Sequence, residues 1–184
     1  MLRAQPLIAP ARRYTYPRVV VGEEEAMARG AMELMVRPRA GEAGGPMGTF
    51  LATCSLGFKD ASMPTGVWSS PNPDEMCAVA GGYAYLVDTR APERVTQIGL
   101  RPVTAVRAME AEGLLVFAGF TSLVAWGEGG LRWETSRLSW EGVTLGPVVD
   151  GRLTGTGWEM VSDRELPFSV DLRTGEHRGG GYLR

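Results

Sequence analysis

Asp74-Glu75-Met76-Cys77-Ala78-Val79-Ala80-Gly81 is the first of three similar stretches in this 184-residue sequence. The second runs from Glu112 to Gly119 and the third from Asp150 to Gly157, so the step from one stretch to the next is 38 residues. Each stretch opens with an acidic residue and closes with a glycine. Self-similarity at a fixed period of about 20–50 residues indicates repeated supersecondary units. The sequence therefore predicts a repeat fold.

Short strand-forming segments and turn signals alternate around each stretch. Tyr83–Asp88, Thr121–Trp126 and Phe168–Leu172 follow the aligned glycines and are predicted to be their hairpin partners. Four short strands in about 40 residues are typical of a β-propeller blade. The predicted fold class is all-β and β-propeller-like, with about four blades built from the 38-residue repeat. The predicted repeats are 74–111, 112–149 and 150–184.

The segment before the repeats is predicted to be a more divergent blade at 19–73. Alternating apolar residues at 31–37, and short β-rich runs at 49–58 and 67–70, indicate its strands. Glu23–Glu25 opens a possible helical turn that Gly30 ends. Residues 1–18 have no periodic apolar face and are predicted to be a flexible arm. Residues 19–184 then form a single domain.

One turn in the third repeat carries a recognisable motif. Ser169-Val170-Asp171-Leu172-Arg173-Thr174-Gly175-Glu176 resembles the repeats of quinoprotein-like (PQQ-repeat-like) β-propellers, whose blades carry Ala-x-Asp-x-x-Thr-Gly-Lys-x-x-x-Trp. Asp171, Thr174 and Gly175 match, whereas Gly180 occupies the tryptophan position. Trp133 supplies a docking tryptophan in the middle repeat. The resemblance covers about residues 67–182 and implies blade architecture without a quinone, since one motif copy does not rebuild a pocket made from many blades.

Composition narrows the classes of partner. A net charge of −2 gives no reason to expect binding to nucleic acid or to an acidic membrane. No apolar run reaches the roughly 18 residues of a membrane helix, and residues 1–17 lack the apolar stretch expected of a secretory signal. Cys54 and Cys77 stand apart from any metal-ligand spacing and are predicted to be buried thiols. The expected location is the cytoplasm.

Metal and cofactor chemistry find little support in the sequence. His177 is the only histidine, and no nucleophile elbow or phosphate-binding loop is present. Aspartates that recur once per turn are expected to cap their own backbone, as at Asp74, Asp88, Asp150 and Asp171. We expect no metal site and no cofactor.

Two sets of residues are candidates for a site. A pair of loop carboxylates is the minimum for hydrolysis of a glycoside. Five tryptophans are spread through the sequence, and aromatic side chains supply binding area at low entropic cost. The carboxylate candidates are Asp60, Asp74, Asp163 and Glu165, and the ligand-binding candidates are Trp68, Trp126 and Trp158.

Two functions remain open on this evidence. The first is a non-enzymatic binding or scaffold module that presents loops of a small rigid propeller to an unknown protein or small molecule. The alternative is a carboxylate-based hydrolase with its site between loops 57–66 and 159–167. Two carboxylates that face each other in a pocket favour the enzyme, whereas a flat apolar patch favours the module.

Two further expectations follow from the repeat. Gly119 and Gly157 share one repeat position, which indicates a close backbone approach that a side chain would obstruct. A ring of about four blades is short, so strand edges near 49–58 or 179–182 are expected to remain unpaired if it does not close. Unpaired edges pair with other chains, so we expect a homodimer or a higher closed oligomer whose interface is drawn from these strands.

Overall fold

The computed structural model describes residues 18–22, 28–38 and 48–182. Apart from one turn of 3-10 helix at Glu110–Glu112, the regular elements in these residues are all β-strands. The prediction of an all-β protein is therefore confirmed. The predicted arm, except for Arg18, and the helical turn that begins at Glu23 lie outside the described residues.

Fifteen strands follow one another along the described chain, and hydrogen bonding groups them into four sheets. We name these sheet A (β1–β3), sheet B (β4–β7), sheet C (β8–β11) and sheet D (β12–β15). The strands are β1 (Arg18–Val21), β2 (Ala31–Val36), β3 (Phe50–Ser55), β4 (Gly66–Ser69), β5 (Glu75–Ala80), β6 (Tyr83–Asp88), β7 (Val95–Gln97), β8 (Ala105–Met109), β9 (Leu114–Ala118), β10 (Leu123–Gly127), β11 (Gly130–Glu134), β12 (Val143–Val149), β13 (Arg152–Glu159), β14 (Arg164–Asp171) and β15 (His177–Gly179).

Sheet A has a different topology from the other three. Its strand order is β1-β3-β2, with β1 parallel and β2 antiparallel to the central β3. Sheets B, C and D are meanders of four antiparallel strands in consecutive order. Consecutive antiparallel strands need only tight turns between them, and glycine is a preferred residue in such turns.

The three aligned sequence stretches occupy the same position in the three meanders, one strand later than the predicted repeat boundaries place them. β5, β9 and β13 contain the aligned sequence stretches, and they are the second strands of sheets B, C and D. The strand ahead of each, β4, β8 or β12, pairs with it as the first strand of the same sheet. The acidic residue that opens each stretch therefore lies in the turn between the first and second strands.

Sheets B and C are buried on both faces, which explains their continuous apolar strands. In β5, Cys77 and Val79 pack towards sheet C, whereas Ala78 and Ala80 pack towards sheet A. A strand with two covered faces has no polar side, so its sequence loses the alternation of a half-buried strand. Both cysteines are free and buried, as expected.

Among the described residues, sheet D packs against another sheet on one face. Leu153 of β13 packs in the cluster shared with sheet C, while Thr154 and Thr156 point to the opposite side and are partly exposed. The alternation of β13 therefore follows the usual pattern of an antiparallel sheet with one solvated face. Sheet A shows the same alternation in β2, where Met32, Leu34 and Val36 face the core, as the sequence predicted.

The four sheets pack face to face in chain order. Hydrophobic clusters join A to B around Tyr85, B to C around Phe117, and C to D around Leu123. Across residues 18–22, 28–38 and 48–182, no hydrophobic cluster or strand pairing joins sheet D back to sheet A. The described part of the chain is thus an open row of sheets with two outer faces.

A side-chain hydrogen bond crosses each boundary between neighbouring sheets. The Tyr85 hydroxyl donates to the Ser55 carbonyl at 2.9 Å between sheets B and A. The Trp126 indole donates to Glu75 at 3.0 Å between sheets C and B. The Trp133 indole donates to the carbonyl oxygen of Leu172 at 2.8 Å just beyond β14, between sheets C and D. Buried aromatic side chains here combine apolar packing with one directional bond.

The edges of the sheets differ in part from those that the sequence predicted. The expectation of an unpaired edge at 49–58 is wrong for β3, which pairs with β1 on one side and β2 on the other. β15 is an edge strand of sheet D. The residues after it are bonded: Gly180 N–H donates to the Pro167 carbonyl, and Gly181 N–H donates to the Leu138 carbonyl.

We expect Gly157→Ala to destabilise the protein more than Gly119→Ala. A Cβ on Gly157 would collide with the backbone carbonyl of Leu138, whereas one on Gly119 would meet the Leu100 side chain at 2.7 Å, which can move. Overpacking against backbone costs about 1–3 kcal/mol. Urea denaturation midpoints measure the difference, with the exposed change Glu128→Ala as a control expected within about 0.5 kcal/mol. Equal midpoints for the two glycine variants would contradict the close approach.

We also expect Trp133→Phe to lower the free energy of unfolding by about 1–3 kcal/mol, because the Leu172 carbonyl loses its donor at a buried boundary. Leu131→Ala, two residues away on the same strand, removes a side chain that is 60% exposed and should cost far less. Thermal unfolding of both variants makes the comparison. A Trp133→Phe variant as stable as the parent would show that the bond does not hold sheets C and D together.

Candidate functional site

Asp60 lies in the loop between sheets A and B, and its carboxylate caps that loop by hydrogen bonding within it. Its Oδ1 accepts hydrogen bonds from the backbone N–H and the hydroxyl of Ser62, both at 2.8 Å. These bonds lower the pKa of Asp60. The same loop pairs with sheet B, where Phe58 N–H donates to the Gly81 carbonyl. Asp60 therefore belongs to the end of sheet B that carries the β5–β6 turn.

Asp163, Glu165 and Trp158 lie together at the β13–β14 hairpin of sheet D. The Trp158 indole donates to Asp163 Oδ1 at 2.9 Å, and Glu165 pairs directly across from Trp158 in the strand register. Sheet C lies between sheets B and D in the row. Asp60 and the pair formed by Asp163 and Glu165 therefore belong to different sheets of the row.

Asp74 and Trp68 line a cleft of about 720 Å³. The cleft lies where the end of β2 meets β4, the β4–β5 turn and the β6–β7 turn. Polar, charged and apolar side chains all contribute to its walls. Its lining residues are Val36, Arg37, Pro38, Val67, Trp68, Ser69, Ser70, Asn72, Pro73, Asp74, Glu75, Met76, Thr89 and Arg90.

The negative charge of Asp74, which lines this cleft, is balanced by an arginine. Its Oδ1 forms an ion pair with Arg90 Nε at 2.9 Å. Its backbone N–H is bonded to the side chain of Asn72, and its carbonyl accepts from both the backbone and the hydroxyl of Thr89. Asp74 thus ties the β4–β5 turn to the β6–β7 turn.

Glu75 is the residue that the sequence analysis missed. Its Oε2 accepts the indole N–H of Trp126 at 3.0 Å and the hydroxyl of Ser70 at 3.1 Å. Glu75 forms no ion pair, and its second carboxylate oxygen accepts no hydrogen bond within the described part of the chain. One signal pointed to it: the aligned stretches have Gly113 and Gly151 at this position, and only the first carries a charged side chain.

The three candidate tryptophans occupy different environments. Trp126 is only 7% exposed, so it packs between sheets B and C and fixes Glu75. Trp68 is half-buried, packing against the cluster between B and C while lining the cleft. Trp158 lies on the distant hairpin of sheet D. Of the three, Trp68 is the one whose surface meets the cleft.

Three smaller clefts continue the first across the neighbouring sheets. Clefts of about 250 and 500 Å³ lie between sheets B and C, and one of about 370 Å³ lies between C and D. Adjacent clefts share lining residues: Ser69 and Ser70, then Pro71 and Leu114, then Arg132. We name this continuous depression the groove. It runs along the end of the row formed by the turns after the first and third strands of each meander.

The groove carries charges of both signs. Five acidic residues and four arginines line it, which leaves its net charge close to zero. The acids are Asp74, Glu75, Glu110, Glu112 and Glu128, and the arginines are Arg37, Arg90, Arg132 and Arg173.

The carboxyl groups with a displaced pKa are all turn-capping residues outside the groove lining. Backbone N–H donation from Arg173 lowers the pKa of Asp171, and bonds from Ser162 and Val161 lower that of Glu159. Asp88 caps Arg90 and Ala91 in the same way. The predicted capping role is confirmed for Asp88 and Asp171. A general acid needs a raised carboxyl pKa, which none of the displaced groups shows.

The described residues contain neither a cluster of metal ligands nor a membrane-spanning helix. In 18–22, 28–38 and 48–182, no three His, Cys, Asp or Glu side chains gather as metal ligands. None of the helical segments described there has the length and apolar content to cross a bilayer. Burial raises the pKa of Cys54 to about 11 and that of Cys77 to about 12, so both remain thiols at neutral pH.

The residues that line the groove indicate what kind of ligand it can bind. Its walls contain one ion pair, one anchored carboxylate and one accessible tryptophan in the first cleft. Arginines and glutamates without ion pairs line the clefts that follow. No protein-family model matches this chain, and a comparison with curated proteins found no match.

Proposed function

We propose that this protein is a non-enzymatic binding module whose four sheets form an open, propeller-like stack and whose groove receives an extended segment of a protein partner. In this proposal the sheets act as blades, and the turns at one end of the blades supply the walls of the groove. The partner segment crosses the blades from the cleft at sheet A to the cleft at sheet D.

The blade interpretation is supported by sheets B, C and D. Each is a four-stranded meander in consecutive order, and the second strands recur at the repeat of the sequence. The Asp171–Glu176 turn, which resembles a quinoprotein-like blade motif, packs on Trp133 of the preceding sheet. A Cβ on Gly175 would lie 2.8 Å from Trp133 Cβ, so this glycine is needed for the contact.

The continuity of the groove is the observation that carries the proposal. Stacked sheets lie about 10 Å apart, so the path from the A–B boundary to the C–D boundary is roughly 20 Å. An extended chain rises about 3.3 Å per residue, and a segment of about six residues therefore spans it. Alternate side chains of such a segment reach successive clefts, which is how extended peptides gain specificity.

The charged groups of the groove suit binding better than hydrolysis. Asp74 is paired with Arg90, and Glu75 is bonded to Trp126 and Ser70, so neither is set opposite a second free carboxylate. Glycoside hydrolysis uses two carboxyl groups about 5–9.5 Å apart. The other carboxylate candidates lie on sheets B and D, and no described contact favours the hydrolase alternative.

Selection from a random-peptide library tests the proposal. We expect enriched peptides to bind the parent protein and to lose about tenfold in affinity to Arg132→Ala, because Arg132 lines two successive clefts. Arg164→Ala is the matched control, since Arg164 is exposed at the β13–β14 turn, at the opposite end of sheet D. Isothermal titration calorimetry measures both affinities.

Two results would count against the proposal. Enriched peptides that respond to Arg164→Ala and not to Arg132→Ala would place binding at the other end of the sheets. Turnover of a glycoside or ester substrate that disappears in Asp163→Asn would support the hydrolase instead. Unchanged thermal unfolding of each variant is required, so that a loss of affinity reports on the groove.

A further inference from the structure

The carboxylate of Glu75 has a property that no other acid lining the groove shares. It is half-buried and held by two donors from different sheets, Trp126 and Ser70. Ser70 is itself held, because its hydroxyl accepts the backbone N–H of Asn72 at 3.3 Å. A carboxylate anchored through one oxygen keeps its orientation without a ligand, which lowers the entropic cost of binding one.

The second oxygen of Glu75 is available to a donor from outside. Both of the bonds described for this side chain go to Oε2, and no arginine of the described chain forms an ion pair with it. Arg90 is engaged with Asp74, and Arg37 lines the same cleft without an ion pair to Glu75. A partly buried negative charge without a counter-ion is costly, and a cationic ligand removes that cost.

Trp68 provides an aromatic wall beside this carboxylate. In the register of β4 and β5, Trp68 pairs with Cys77, so Glu75 is its diagonal neighbour on the same face of sheet B. Diagonal neighbours have Cβ atoms about 7 Å apart. A cation within about 6 Å of an indole ring is attracted to its face, so one group can contact both side chains.

We propose that Glu75 and Trp68 bind the guanidinium group of an arginine side chain carried by the partner segment. The planar guanidinium stacks on the indole of Trp68 and donates to the free oxygen of Glu75, a combination that suits arginine better than lysine. This inference rests on the proposed function in one respect, because the partner segment of that proposal carries the arginine. The pocket itself is defined by Glu75, Trp68, Trp126 and Ser70.

The test uses two short peptides with the full-length protein. Acetyl-Gly-Arg-Gly-amide carries the guanidinium, and the same peptide with citrulline replaces it with a neutral urea of equal shape. We expect the arginine peptide to shift the indole N–H signals of Trp68 and Trp126 saturably in a ¹⁵N NMR titration. The citrulline peptide should bind at least tenfold more weakly, and 0.5 M salt should weaken the arginine peptide but not the citrulline one.

Glu75→Gln is the decisive variant. Its amide oxygen can still accept from Trp126 and Ser70, so the fold is retained while the charge is lost; we expect at least a tenfold loss of affinity for the arginine peptide. Glu141→Gln removes an exposed charge that lines none of the four clefts and should change affinity less than twofold. If Glu75→Gln fails to fold, Trp68→Leu removes the wall while leaving the Glu75 bonds, and a loss of at least threefold is expected.

Equal binding of the arginine and citrulline peptides, or unchanged binding to Glu75→Gln, would overturn the inference. That result would leave the proposed function standing if library peptides still bind through Arg132. The opposite result separates the two proposals as well. If the arginine peptide binds through Glu75 but no library peptide depends on Arg132, this inference is supported and the groove is refuted as a site for an extended partner.

Discussion

Burial of both faces of sheets B and C is the constraint on which the rest of the structure depends. Apart from Glu75 at the start of β5, the second strands β5 and β9 are apolar, so neither sheet is stable with one face in water. Sheet B needs A and C, and sheet C needs B and D. As in other repeat architectures, stability is then close to a sum of contacts between neighbours. Because burial is non-directional, it holds the sheets together without fixing how far one slides along the next.

Hydrogen bonds at the boundaries fix how neighbouring sheets align, which burial alone does not determine. Tyr85, Trp126 and Trp133 each insert an aromatic body between two sheets and anchor it with one hydrogen bond. At the B–C boundary the acceptor is a charged side chain, Glu75, and that acceptor also borders the first cleft of the groove. The same carboxylate therefore aligns two sheets and faces the groove. A binding residue that is also part of the scaffold is held rigidly, because the core around it fixes its position.

The sequence predicted the local features well and the long-range ones poorly. The aligned stretches located the second strands of the meanders, and turn chemistry predicted the capping roles of Asp88 and Asp171, because both depend on residues close in sequence. The burial of the two cysteines was also predicted. The importance of Glu75 depends on Trp126, which is 51 residues away and belongs to another sheet. The edge predicted at 49–58 failed because β1, far away in the sequence, covers one side of β3. No periodic pattern encodes either contact.

The threonine-bearing face of sheet D has a consequence for how the chain folds during synthesis. Each meander pairs only strands that are neighbours in sequence, so the strands of sheet B can begin to pair before sheet C has left the ribosome, and sheet C then stabilises them by covering their second face. Until the following sheet arrives, the newest one presents an apolar face that is prone to aggregation. Thr154 and Thr156 end that vulnerable period, because sheet D needs no successor to shield it. Chaperone dependence should accordingly fall once β15 has emerged.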